Sequence, residues 1–168
     1  MNIINQLKQD HAHLQEMLRL LDEHIHHDEL DLGLIKETLA YIGDYAERYH
    51  HPMEDRLLNH LSQHNPRLTK LYHHLQEDHI TLEAQSNQIR EQLEAIEMST
   101  VVPMDEFRKS LLLWVAAQQR HLHYEDQYML PVAENDLRLY PENFDWPLPP
   151  NVGLITQYQS LTRDLRSS

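Results

Sequence analysis

The chain has 168 residues, a formal net charge of −13, 14 histidines, three glycines and no cysteine. This length suits one domain with a sizeable core. The absence of cysteine excludes disulfides, thiolate-bound iron–sulfur clusters and zinc–thiolate sites. The negative charge argues against nucleic acid or an anionic membrane as a partner.

Four long segments have the apolar periodicity of buried helix faces. They cover about residues 3–27, 32–61 and 66–98, and a fourth runs from about 104 to a stop near Pro131. Asp31 and Asn65 are suitable N-caps, and Pro66 suits a first helical position. Short connections make neighbouring helices antiparallel, so we predict an all-α, up-down-up-down antiparallel four-helix bundle over residues 1–131.

The composition changes after the fourth segment. Residues 139–150 contain four prolines, which predicts an extended strap, and Leu154, Tyr158, Leu161 and Leu165 have the spacing of a short amphipathic helix. We expect residues 132–168 to form an irregular C-terminal extension that packs on the bundle and offers a surface for a homodimer. The N-terminus resembles no signal peptide and no run reaches the roughly 20 apolar residues of a membrane span, so we expect a cytoplasmic protein.

Six polar side chains stand where the apolar periodicity calls for core residues. They are His11, His50, Glu54, His79, His121 and Glu125. Buried charges and imidazoles are costly unless something binds them. Counted from turns near residues 30, 65 and 100, the four histidines lie at one level of the bundle, because a helix rises about 1.5 Å per residue. They therefore indicate a shared partner in the interior.

The two halves of the chain repeat one pattern. Asp-His-x-x-Leu occurs at 10–14 and 78–82, and a histidine followed four residues later by Glu-Asp occurs at 50–55 and 121–126. Four imidazoles and two carboxylates suit iron, manganese or zinc, whereas calcium prefers oxygen ligands. Two octahedral ions sharing both carboxylates and an oxide or hydroxide bridge would keep two positions for dioxygen, nitric oxide or peroxide. The alternative is a buried hydrogen-bonded network without metal.

This pattern resembles the hemerythrin-like, or HHE cation-binding, family over about residues 4–131. The resemblance implies that the six residues bind two iron ions. Classical oxygen-carrying members have a second histidine one turn from the third-helix ligand, where this chain has Leu75 and Glu83. That departure argues against reversible oxygen transport. The cysteine-containing N-terminal segment of many iron–sulfur repair relatives is also missing.

We therefore expect a non-heme di-iron protein that binds or senses dioxygen, nitric oxide or iron. Two alternatives stay open. One is a di-iron enzyme or an iron–sulfur cluster repair factor acting under oxidative or nitrosative stress. The other is a metal-free structural or partner-binding bundle.

Residues beside the six ligands carry further expectations. His13, His51 and His123 point away from the ligand face on a regular helix, which predicts surface positions. Asp10 and Asp78 either accept a hydrogen bond from an imidazole on another helix or face solvent.

Pro52 lies between His50 and Glu54, inside the second segment. We expect a local kink that leaves both side chains on one face. In the alternative, the helix ends near Tyr49 and restarts.

Overall fold

The computed structural model describes residues 2–144 and 152–168. Four long helices form the bundle and a fifth packs outside it. α1 is Ile3–Ile25, α2 covers residues 32–64, α3 is Thr69–Glu97, α4 covers residues 104–139 and α5 is Val152–Ser167. The predicted all-α four-helix bundle is confirmed.

Side-chain caps mark the starts of α1, of α2 and of the 3₁₀ turn Pro66–Leu68 that leads into α3. Asn2, Asp31 and Asn65 each accept a hydrogen bond from a backbone N–H two or three residues later, at 2.9, 3.0 and 3.2 Å. These bonds satisfy N–H groups that have no partner within the helix. At the end of α3, Ser99 takes a φ of 60°, a left-handed conformation that stops the helix. The turns therefore fall close to the positions from which the level of the histidines was counted.

α2 and α4 each contain a π-helical segment ahead of a proline. These segments are Gly43–His50 and Glu125–Met129. The backbone N–H of His51 and that of Leu130 bond to the carbonyl five residues earlier. The wider turn gives room to a proline ring that would otherwise clash with the carbonyl four residues before it.

Both helices therefore pass through their prolines. The alternative in which the second helix ends near Tyr49 and restarts is wrong. The prediction that the fourth helix stops near Pro131 is also wrong, because α4 continues to Leu139. The division at residue 131 stays a prediction, and half of the predicted Pro-rich strap, residues 145–150, lies outside the described residues.

The buried apolar side chains form two layers inside the bundle. One includes Leu14, Leu18, Leu21, Phe107, Leu111 and Trp114; the other includes Leu7, Met53, Leu57, Leu75 and Met129. α5 contributes Leu161 and Leu165 to the first layer. The level between the two layers is where the predicted polar residues lie. Within the described part of the chain, no helix is both long and apolar enough to cross a membrane.

Candidate metal centre

The six predicted ligands meet in the middle of the bundle. Each of these side chains belongs to a residue that is at most 6 % exposed. α1 and α3 each bring one histidine, while α2 and α4 each bring a histidine and the glutamate one turn further on. His50 and Glu54 do share a face despite Pro52, with 3.1 Å between Nε2 and Oε1. The sequence therefore placed all six correctly, while their role as metal ligands stays a prediction.

Glu54 lies between the histidines of the α1–α2 hairpin and those of the α3–α4 hairpin. Its Oε1 atom is 3.0 Å from Nε2 of His11 and 3.1 Å from Nε2 of His50. Its Oε2 atom is 3.4 Å from Nε2 of His79. Glu54 thus offers one oxygen to the histidines of α1 and α2 and the other oxygen to the histidine of α3.

Glu125 repeats this arrangement from the opposite side. Its Oε1 atom is 2.9 Å from Nε2 of His121 and 3.3 Å from Nε2 of His79. Its Oε2 atom is 3.4 Å from Nε2 of His11. Donor atoms about 3 Å apart are what neighbouring positions around one ion require when metal–ligand bonds are about 2.1 Å long. The repeat in the sequence therefore corresponds to a repeated arrangement of side chains in the site.

Two overlapping sets of donor atoms are compact enough to hold a cation. One contains His11, His50, Glu54 and Glu125, and the other contains His51, Glu54, His79 and His121; within each, all donor atoms lie within 4.8 Å of one another. Because Glu54 belongs to both sets, the arrangement is consistent with two metal ions that share a ligand.

Several polar atoms of the predicted ligands are buried without a partner. Among the described residues, Oε2 of Glu54, Oε2 of Glu125 and both ring nitrogens of His121 are buried without a hydrogen bond. Unpaired buried polar atoms are costly. Nε2 of His121 and Oε1 of Glu125 lie 2.9 Å apart, a separation typical of two ligands that face a common ion. The donor set therefore fits bound cations.

An outer ring of four aspartates surrounds the imidazoles. Each aspartate is adjacent in sequence to a predicted ligand but faces the Nδ1 atom of a histidine on a neighbouring helix. The pairs are Asp10 with His50 at 2.9 Å, Asp55 with His79 at 3.2 Å, Asp78 with His121 at 3.6 Å and Asp126 with His11 at 2.7 Å. A carboxylate on Nδ1 fixes the tautomer and turns Nε2 towards the centre.

The aspartate ring resolves the alternative left open for Asp10 and Asp78, and it adds two residues to the site. Asp10 is fully buried and accepts a hydrogen bond from His50, as the first alternative requires, whereas Asp78 is half-exposed and only approaches His121. Asp55 and Asp126 were not among the predicted site residues. Their signal was present, because each ends the repeated pattern His-x-x-x-Glu-Asp.

The electrostatics of the site favour positive charge. Burial opposes the charging of His11, but hydrogen bonds to Asp126 and Glu54 outweigh it and raise the pKa to about 10. Burial likewise opposes the charging of His50, and Glu54 and Asp10 raise its pKa to about 9. Burial disfavours the Glu54 carboxylate, yet the surrounding histidines lower its pKa. Without metal, protons bound to these histidines occupy positions that cations could take.

The prediction that His51 lies on the surface is wrong. It is 5 % exposed, stacks on His79 with ring centroids 4.0 Å apart and meets His121 edge-on at 5.6 Å. Burial, followed by the charge of His79, holds its pKa well below the usual value. His13 and His123 are exposed, as expected. On α3, Leu75 is buried in an apolar layer and Glu83 is exposed, so α3 brings a single histidine to the site.

A cleft of about 340 Å³ between α3 and α4 opens beside the predicted ligand His121. His121 is one of its lining residues, and the others include Asp78, Gln85, Arg120 and Tyr124. Solvent-sized molecules can therefore approach the imidazole of His121 from this side.

Comparison with known proteins agrees with this geometry. The family model of the hemerythrin HHE cation binding domain matches residues 2–133, which includes all six predicted ligands and the four aspartates. No curated protein matches, and no solved structure matches. The match covers most of the chain, so this protein belongs to the hemerythrin HHE cation-binding domain family.

Proposed function

We propose that the chain is a non-heme di-iron protein that binds or senses a small ligand such as dioxygen, nitric oxide or peroxide. The observation that carries the proposal is the position of the two glutamates. Each presents one oxygen to the histidines of one hairpin and the other oxygen to the histidines of the other hairpin. Two ions sharing two carboxylates would satisfy every one of these atoms.

The donor chemistry supports iron. Imidazole and carboxylate ligands suit iron, manganese and zinc, but six protein ligands exceed the four of a structural zinc site. Two six-coordinate ions held by four histidines and two shared glutamates would keep positions free. Iron bound there would supply redox chemistry and an affinity for diatomic ligands.

The surrounding protein supports access for a small molecule only. The apolar layers close the site above and below, and the cleft between α3 and α4 brings solvent to the edge of the His121 ring. Arg120 and Tyr124 at this cleft can contact a polar or anionic ligand on its way in. The ring of aspartates holds the imidazoles in place while the ligand enters and leaves.

The test is anaerobic loading with ferrous iron followed by titration with nitric oxide. We expect an absorption change that saturates at a fixed ratio of ligand to protein and reverses when the ligand is removed. Protein that contains iron but gives the same spectrum with and without nitric oxide and dioxygen would refute ligand binding. Multiple turnovers of added peroxide would instead favour an enzyme.

A further inference from the structure

We propose that His51 is a seventh protein ligand of the metal centre, bound to the ion that His79 and His121 hold. This inference rests on the proposed function, since it assigns a residue to the same pair of ions. The spacing in the sequence predicts six ligands, and His51 adds a further imidazole from α2.

The His51 ring lies among the donor atoms of the predicted ligands. One ring nitrogen of His51 lies within 4.8 Å of donor atoms of Glu54, His79 and His121, which is compact enough for a single ion. The ring is buried, and no surface role accounts for it. The π-helical turn that ends at His50 changes the angular offset between neighbouring side chains, so two consecutive histidines of α2 both reach the interior.

The two donor sets also differ in the number of imidazoles that they contain. The set around His11 and His50 contains two imidazoles and two carboxylates. The set around His79 and His121 contains three imidazoles when His51 is included, and Glu125 also approaches it, with Oε1 2.9 Å from Nε2 of His121 and 3.3 Å from Nε2 of His79. The ion in this set would therefore have one imidazole more than the other ion and a different affinity, and His51 would occupy one of the positions otherwise free for a small ligand.

The main competing role for His51 is packing, because its ring is almost parallel to that of His79, with an interplanar angle of 8°. His51→Phe separates the two roles: it keeps an aromatic ring for stacking and removes the donor nitrogen. His123→Phe is the matched control, since His123 also neighbours a ligand-bearing turn but is exposed.

The experiment is a competition titration of each apo-protein with ferrous iron against a chelator of known affinity, giving two stepwise dissociation constants. We expect His51→Phe to weaken one step by at least about tenfold and leave the other within about threefold, because only one ion loses a ligand. His123→Phe should bind both ions as the natural chain does. Unchanged constants in His51→Phe would overturn the inference.

A second variant covers the case in which His51→Phe does not fold. His51→Ala leaves space for free imidazole, and added imidazole should strengthen the weakened step in a concentration-dependent way. No response to imidazole would overturn the ligand role. Failure of the proposed function would look different, because the natural chain itself would then not bind two ions.

Discussion

Asp10 and Asp78 provide a matched pair for testing how the outer ring supports the metal centre. They occupy equivalent positions in the two halves of the repeat, each one residue before a predicted ligand. Asp10 is fully buried and lies 2.9 Å from Nδ1 of His50. The Asp78 side chain is 37 % exposed and lies 3.6 Å from Nδ1 of His121. The same substitution should therefore have unequal effects.

The structure sets the size of each effect. Asp10 also accepts hydrogen bonds from the Tyr45 hydroxyl and from Nε2 of Gln6. Asp10→Asn keeps the shape but removes the charge and one acceptor oxygen. A hydrogen bond to a charged group contributes about 1.5–3 kcal/mol, which corresponds to about 10–100-fold in metal affinity. The longer, half-exposed Asp78 pair contributes at most about 1 kcal/mol, or about fivefold.

The assay is competition between each variant and a chelator of known iron affinity, with the melting temperature of each apo-protein as a check on folding. We expect Asp10→Asn to lose about 10–100-fold in affinity and Asp78→Asn to lose less than about fivefold. Equal losses in two folded variants would refute the reasoning, and so would a larger loss for Asp78→Asn. Either result would mean that burial and distance do not govern the support of the imidazoles.

Three further predictions follow from the centre. Glu54→Ala and Glu125→Ala should each lose most bound metal, measured as the metal-to-protein ratio, while the exposed Glu83→Ala should not; two ions retained in both buried variants would contradict shared ligation. Metal at 100 times its dissociation constant stabilises the fold by about 2.7 kcal/mol, so the melting temperature should rise by about 5–10 °C. An apo-protein that melts at the same temperature as the metal-loaded protein would argue against a buried site. Because the pKa values of His11 and His50 are raised to about 10 and about 9, metal must displace protons, and affinity should fall by about tenfold per displaced proton for each pH unit of acidification. Titrations at pH 6 and pH 8 measure this slope, and equal affinities would contradict it.

The sequence was sufficient for the fold and for the level of the site. A helix rises by the same amount per residue everywhere, so counting from three turns placed His11, His50, His79 and His121 at one height, and the structure brings them together. The same periodicity placed Glu54 and Glu125 one turn from a histidine on the same face. These inferences needed only regular geometry.

The features that the sequence did not reveal depend on irregular geometry or on neighbouring helices. Pro131 normally marks the end of a helix, and only the π-helical turn before it allows α4 to continue. His51 was placed on the surface by the angle of a regular helix, which the π-helical segment changes. Asp55 and Asp126 stand beside the ligand face of their own helices, and their partners become visible only when the helices are packed together.

The proposed function requires that the interior of this bundle holds two cations. The most direct test is elemental analysis of the full chain purified from cells grown in iron-replete medium, with protein concentration determined independently. We predict two iron ions per folded chain. Folded protein that contains less than one equivalent of any transition metal, and takes up none when ferrous iron is added, would contradict the account.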